Sequence, residues 1–357
     1  MGMEQAIMWV MAVGAIVGGI DRIFGNNLGL GKKFEDGFLL MGSTALSMVG
    51  ILCLAPVLSM LIESAIAPLC ALLGFDPGVF GGILAIDMGG YQLSRDLAEN
   101  PLVGKYAGVL VSAILGCTVT FTIPVGMGML KDGDRADFAK GILFGLVAMP
   151  LALIAGGVMC GLSAGETLWQ SLPILILSLL LLLGIWKKTD GMIRGFSVFA
   201  KIIEILTTAG LILGAVTYMT GVKIIPDLAP IEEAMAVVAS IGVVMLGSLP
   251  VSELLQRILK KPLRWFGERT GLNSASAAGL LIGMVSVLPA IVLVKDMDRR
   301  GKIVNAAFMV CAASAFAAHL GFTAGVDPTM IVPLLATKLL GGALGACIAL
   351  LATKKSV

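Results

Sequence analysis

Six stretches of this chain, 38–62, 106–130, 141–165, 167–186, 234–252 and 270–294, contain no Asp, Glu, Lys, Arg or His. A hydrocarbon slab about 30 Å thick takes roughly 20 residues of helix, so each stretch is long enough to cross a bilayer. Their repetition excludes a single anchor on a soluble domain, and they lack the period-2 alternation of a membrane barrel. Composition agrees: 58% of the 357 residues are hydrophobic and 13% charged, against about 25% charged in a soluble domain. The expected fold is all-α, a polytopic membrane helical bundle forming a single transmembrane domain over 1–357. The apolar run 5–20 has no basic residue before it and reads as the first spanning helix rather than a signal peptide.

Several function classes fall away. The net charge of +2 and the lack of a basic patch give no footprint for nucleic acid. The six cysteines lie singly in apolar runs without a CxxC pair. They read as small buried hydrophobes, with no metal or disulfide role. No P-loop, HExxH pair or nucleophile elbow is present. Neither an enzyme, nor a cofactor, nor an ATP-driven pump is expected.

The chain repeats itself weakly. Gly104-Lys105 recurs as Gly301-Lys302, each opening an apolar run after a short charged loop. Ala55-Pro56 matches Leu249-Pro250, and Pro68-Leu69 matches Pro262-Leu263. Gly74-Phe75-Asp76 matches Gly271-Leu272-Asn273, and Lys140 matches Lys338. The shared order predicts a duplication: repeat one over about 3–162, a bridging helix over about 167–186, and repeat two over about 195–352.

Loop charge sets the orientation, because Lys and Arg in short loops favour the cytoplasm. Arg22, Lys32 and Lys33 should be inside, as should Lys131, Arg135 and Lys140; Lys187, Lys188 and Arg194; and the basic residues from Arg257 to Arg269. The loops around Glu63, Glu166, 221–233 and Asp327 should be outside. All of these agree only if 79–93 and 274–294 dip into the membrane and return to the side they left. The repeats are then inverted, each with a broken or re-entrant segment. Eleven full spans with parallel repeats are the rival, and would put Lys131, Arg135 and Lys140 outside.

Interruptions of the apolar pattern locate the candidate chemistry. In 81–92 an acid, Asp87, is followed at once by Gly89 and Gly90. Glycine there suggests a backbone break, tolerated at membrane depth only where it is buried in protein or lines a wet cavity. The matching segment carries Ser286 and Pro289. Paired interruptions of this kind point to a transporter's binding site. Lys201, Glu204, Glu253, His319 and Lys338 are further ionisable residues in apolar surroundings. Lys201 and Glu204, three apart on one helix, read as an ion pair; Glu253 reads as interfacial; Lys338 is a candidate partner for Asp87. His319 reads as a core residue or a site residue.

Asp87-Met88-Gly89-Gly90 resembles the ethanolamine permeases of bacterial ethanolamine-utilisation systems (EutH-type). The stretch from Lys295-Asp296-Met297-Asp298-Arg299-Arg300-Gly301-Lys302 to Asn305 and Phe308 is similar to the same family. So are His319-Leu320-Gly321-Phe322, Lys338-Leu339-Leu340-Gly341-Gly342, Phe34-Glu35-Asp36-Gly37-Phe38 and Leu54-Ala55-Pro56-Val57. The resemblance implies a multi-pass permease of the cell (inner) membrane importing ethanolamine as a small ammonium cation. A channel or facilitator for ethanolamine or ammonia, or a transporter of another small amine, is the alternative. The family pattern implies an acid just before His-Leu-Gly-Phe, where this chain has Ala318. A small ammonium needs a carboxylate, carbonyls or an aromatic face in place of water. Asp87, Gly89, Gly90 and Tyr91 supply these, with Thr118, Thr122 and Asn305 for the hydroxyl end and His319 nearby. The expected partners are the small amine and the lipid bilayer, and a homo-oligomer is compatible with the pattern.

Overall fold

The structure is a computed structural model that describes residues 2–84 and 87–353. Those residues form helices and connections, with no strand among them. A helix satisfies every backbone N–H and C=O within its own segment, which lipid requires. The path begins with α1 (Met3–Ile23) and α2 (Leu30–Leu73). It continues through α3 (Gly78–Leu84), a 3₁₀ turn at Asp87–Gly89, α4 (Gly90–Leu97) and α5 (Pro101–Lys105). Two π-helical segments, Tyr106–Gly116 and Thr118–Thr122, precede α6 (Ile123–Met129). Then come α7 (Asp132–Met159), α8 (Ala164–Gln170) and α9 (Leu172–Thr220). α9 is two helices joined at Lys188, whose φ of −144° and ψ of 60° leave the helical region. The rest is α10 (Ile231–Thr270), α11 (Ser274–Val285), α12 (Val287–Leu293), α13 (Arg299–Ala312), α14 (Ala318–Val326) and α15 (Ile331–Ala352). Among the described residues, seven helical stretches are long and apolar enough to cross a membrane, and α8 with the first part of α9, bent by 46°, makes an eighth.

The two interrupted segments double back. A methyl group added at Gly78 would meet the Ala98 Cβ at 2.6 Å, and one at Gly81 would meet the Ser94 Cα at 2.5 Å. α3 and α4 therefore lie antiparallel at glycine distance. Their outer ends are tied together: the Asp76 carboxylate accepts from the backbone N–H of Gly78 and of Asn100, each at 2.7 Å. The second segment repeats the device. A methyl at Gly283 would touch the Ala290 Cβ at 3.7 Å, and at the base Asp298 accepts from the Asn273 N–H at 2.9 Å and the Ser276 hydroxyl at 2.6 Å.

The bases of the two hairpins lie at opposite ends of the bundle. Hairpin one is anchored near α8, where Gln170 accepts from the Asp76 N–H at 2.9 Å and Asn100 donates to Glu166 at 2.8 Å. Hairpin two is anchored at the end that carries the start of α7: Lys302 pairs with Asp134 at 2.5 Å and Arg299 with Asp137 at 3.0 Å. The basic stretches 131–140 and 257–269 thus share one end, called here the basic end, as the loop-charge argument expects.

α2 and α10 form the antiparallel spine beside these hairpins. Gly37 approaches the Met245 carbonyl so closely that a methyl would sit 2.4 Å from its oxygen. At the other end of the contact the Ala229 N–H donates to the Cys53 carbonyl at 2.9 Å. Both helices outrun this contact, α2 towards hairpin one and α10 towards hairpin two. Pro56 and Pro68 lie inside α2, and Pro250 and Pro262 inside α10.

Candidate functional site

A cavity of about 820 Å³ opens between the spine and hairpin two. Lys33, Asp36, Glu253 and Gln256 line it towards the basic end, while Ser286, Pro289, Ser314 and Ala318 line it deeper in. Two interruptions of helix converge there. Ser286 is extended, with φ −153° and ψ 133°. Ser314, between α13 and α14, has φ 54°, a left-handed conformation costly for a residue with a Cβ. The chain between α13 and α14 is pinned to the hairpin, because Ser314 N–H donates to Gly283 O and Phe316 N–H to Met284 O, both at 2.9 Å. A second cavity, of about 440 Å³, lies against hairpin one, lined by Met88, Gly89, Thr120, Glu204 and Thr207 among others. Ser47 of α2 and Phe121 of the second π-segment line both cavities.

The residues singled out in the sequence occupy several distinct environments. Asp87 belongs to the 3₁₀ turn, but its side chain lies outside the described residues. Gly89 has ordinary helical angles, φ −64° and ψ −21°, so unusual dihedrals are not what requires glycine there. Proximity is: a methyl would strike Ile51 Cγ2 at 2.6 Å. Gly90 is buried and starts α4. Tyr91, 5% exposed, meets Phe322 edge-on with centroids 5.9 Å apart. The Arg95 guanidinium lies 5.6 Å from the Tyr91 ring, so a protein cation already occupies that face. Two motifs distant in sequence, one at Asp87–Tyr91 and one at His319–Phe322, are therefore in contact.

Thr118 and Asn305 serve helix packing. The Thr118 hydroxyl lies 2.7 Å from Ile114 O and 2.9 Å from Val310 O, joining the π-segment to α13. The Asn305 amide donates to Ser276 O and Gly301 O at 2.8 and 2.9 Å. Its Oδ1 has no hydrogen-bond partner among the described residues, and neither has the buried Thr122 hydroxyl. His319 is buried, with Nδ1 3.1 Å from Ala313 O beside the α13–α14 interruption. Lys338 is fully buried and donates to Ala113 O at 2.8 Å. That carbonyl belongs to the π-segment Tyr106–Gly116, against which the Asp87–Gly89 turn packs. Lys201 and Glu204 pair at 2.9 Å, as their spacing predicts, and Glu253, read as interfacial, pairs with Arg257 at 2.9 Å.

Comparison with known proteins decides the family. The model of the ethanolamine utilisation protein EutH matches residues 3–352. The chain belongs to the EutH family. It is 40% identical to the probable ethanolamine permease EutH of Listeria monocytogenes serotype 1/2a (strain 10403S), over 96% of this chain and 92% of that one. It is 35% identical to the probable ethanolamine permease EutH of Salmonella typhimurium (strain LT2), over 99% and 97%. An uncharacterised Bacillus subtilis (strain 168) protein, YxeR, is 36% identical over 98% and 95%. No solved structure matches. A EutH-family chain with this many apolar helices is a multi-pass membrane protein.

Sequence reasoning missed Ser47 and Phe121, the residues common to both cavities of this EutH-family chain. A signal for Ser47 was present: Ser43, Thr44 and Ser47 share one face of an otherwise apolar helix, and all three line the larger cavity. Nothing comparable marks Phe121, whose place depends on the packing of the π-segment.

Proposed function

We propose that this protein imports ethanolamine, as its ammonium cation, across the inner membrane, and that it is a transporter rather than an enzyme. Family membership carries the substrate, since the Listeria and Salmonella relatives are described as probable ethanolamine permeases. The transport reading is supported by two hairpins that enter from opposite ends and by cavities that reach both of them. Asp87 remains the proposed ligand of the ammonium group, on the sequence argument that it is the carboxylate set into a glycine-interrupted apolar segment. Gly89, Gly90, Tyr91, Thr118, Thr122, Asn305 and His319 keep their proposed place around it, Tyr91 and Thr118 as packing supports. Lys338 is the proposed neighbour of Asp87, held by a carbonyl of the helix that the Asp87 turn packs on.

The two halves are proposed to be inverted repeats. Lys105, at the start of the crossing helix of the first half, pairs at 2.8 Å with Asp327 of the second. Lys302, its counterpart in the second half, pairs at 2.5 Å with Asp134 of the first, at the opposite end of the bundle. A two-fold axis in the membrane plane relates such pairs, and inverted repeats of this type are common among secondary transporters.

Uptake of labelled ethanolamine into proteoliposomes, with and without proton and sodium gradients, tests the reading. Saturable uptake competed by unlabelled ethanolamine and weakened in Asp87→Asn is the expected outcome. Flux that never saturates would make the protein a channel, and no ethanolamine flux at all would refute the substrate.

A further inference from the structure

Lys201 and Glu204 form an ion pair whose side chains are 63% and 66% exposed. Their depth makes this unusual. Beyond Lys188, α9 runs alongside α2 from the basic end, and a methyl at Gly50 would come within 1.7 Å of Thr207 O. Further on, a methyl at Gly214 would touch the Cys53 sulfur at 3.1 Å, beside the Cys53–Ala229 contact that closes the spine at the opposite end. The pair therefore stands between the two ends, midway along the span Asp190–Thr220. Charged side chains at such depth face a bundle interior or a water-filled cavity.

Glu204 does line a cavity, the one of about 440 Å³ that reaches Met88 and Gly89 of hairpin one. Two of the three hydroxyls in its wall are already committed as donors. Ser47 donates its hydroxyl proton to Thr44 O at 2.9 Å, and Thr120 donates its own to Gly116 O at 2.8 Å. Both hydroxyls are thereby left as acceptors. With a carboxylate and two hydroxyls left as acceptors in its wall, the cavity suits a guest that brings donors and a positive charge. An ammonium group is such a guest.

We propose that Glu204 is a second cation station, where a small primary ammonium replaces Lys201 at the carboxylate on its way to or from hairpin one. The proposal rests on the substrate being an ammonium, as proposed above. It assigns Lys201 the role of a tethered substitute that neutralises Glu204 while the station is empty. The two members of the pair then have opposite effects on the substrate, which a purely structural ion pair does not allow.

Ethanolamine uptake into proteoliposomes of wild type, Glu204→Gln, Glu204→Asp and Lys201→Gln separates the cases, with oligomeric mass measured on each protein. Expected are a KM raised about tenfold in Glu204→Gln, near wild type in Glu204→Asp, and lowered severalfold in Lys201→Gln. If Glu204→Gln does not insert, Glu204→Asp and Lys201→Gln retain the test. A KM raised equally in Glu204→Gln and Lys201→Gln, or unchanged in both, overturns the station while leaving the transport reading intact. Unchanged KM with altered oligomeric mass overturns it too, and assigns the pair to a contact between copies. Wild-type protein without ethanolamine uptake overturns the substrate reading, and the station with it.

Discussion

Asp87→Asn keeps the size of the side chain and removes its charge. The expected result is a folded protein whose ethanolamine binding, measured by calorimetry on purified protein, weakens at least about tenfold, or 1.4 kcal/mol. Unaltered affinity in the folded variant would move the cation site elsewhere. Single residues were unevenly legible in the sequence. The Lys201–Glu204 pair was readable because its two members lie three residues apart on the same helix. Thr118 was not, because its second acceptor, Val310 O, is 192 residues distant. Tyr91 was chosen for an open aromatic face, and the fold covers that face with Arg95 and sets Phe322 at its edge. Gly89 was singled out as a backbone break, whereas in the structure glycine is required there because Ile51 of α2 leaves no room for a side chain.

At the scale of elements, the contact of α2 with α9 depends on two glycines. A methyl at Gly50 would lie 1.7 Å from Thr207 O, and one at Gly210 would lie 2.1 Å from Gly50 O. Small residues let membrane helices approach in this way, and backbone atoms cannot rotate aside. Gly50→Ala should therefore cost about 1–3 kcal/mol, read as a lowered thermal midpoint in detergent; an unchanged midpoint would mean the helices separate freely. The Lys105–Asp327 pair gives a pH dependence. Burial raises the Asp327 pKa, but the Lys105 ammonium and the Thr329 hydrogen bonds outweigh it and hold the carboxyl below its ordinary 3.8. A depressed folded-state pKa contributes stability above the unfolded value and loses it as pH falls through the lowered one. Asp327→Asn should cost about 1 kcal/mol of stability at neutral pH for a partly exposed pair, read as a lowered thermal midpoint, with the difference from wild type closing only in strong acid. The interrupted segments were legible from Gly, Ser and Pro inside apolar runs. The π-segments were not, because no composition rule marks an extra residue per turn.

At the scale of the whole molecule, the shared basic end fixes which positions a reagent confined to the outside can reach. A cysteine replacing Gly133, where the structure leaves open space, and one replacing the exposed Glu268 should both resist an impermeant thiol reagent applied from outside. One replacing Gly165, in open space at the other end, should react. Labelling at 133 without labelling at 268 would contradict the shared basic end. The membrane bundle was legible because apolar length and loop charge act locally. The pairing of the halves was less so, since it is carried by contacts between residues far apart in the chain. Asp134 and Lys302 are separated by 168 residues. At a synthesis rate of 5–20 residues per second, that gap amounts to roughly 8–34 s between the addition of Asp134 to the growing chain and the addition of its lysine. The first half is therefore made long before its partner, and the joint at the basic end can close only as the last helices are being translated.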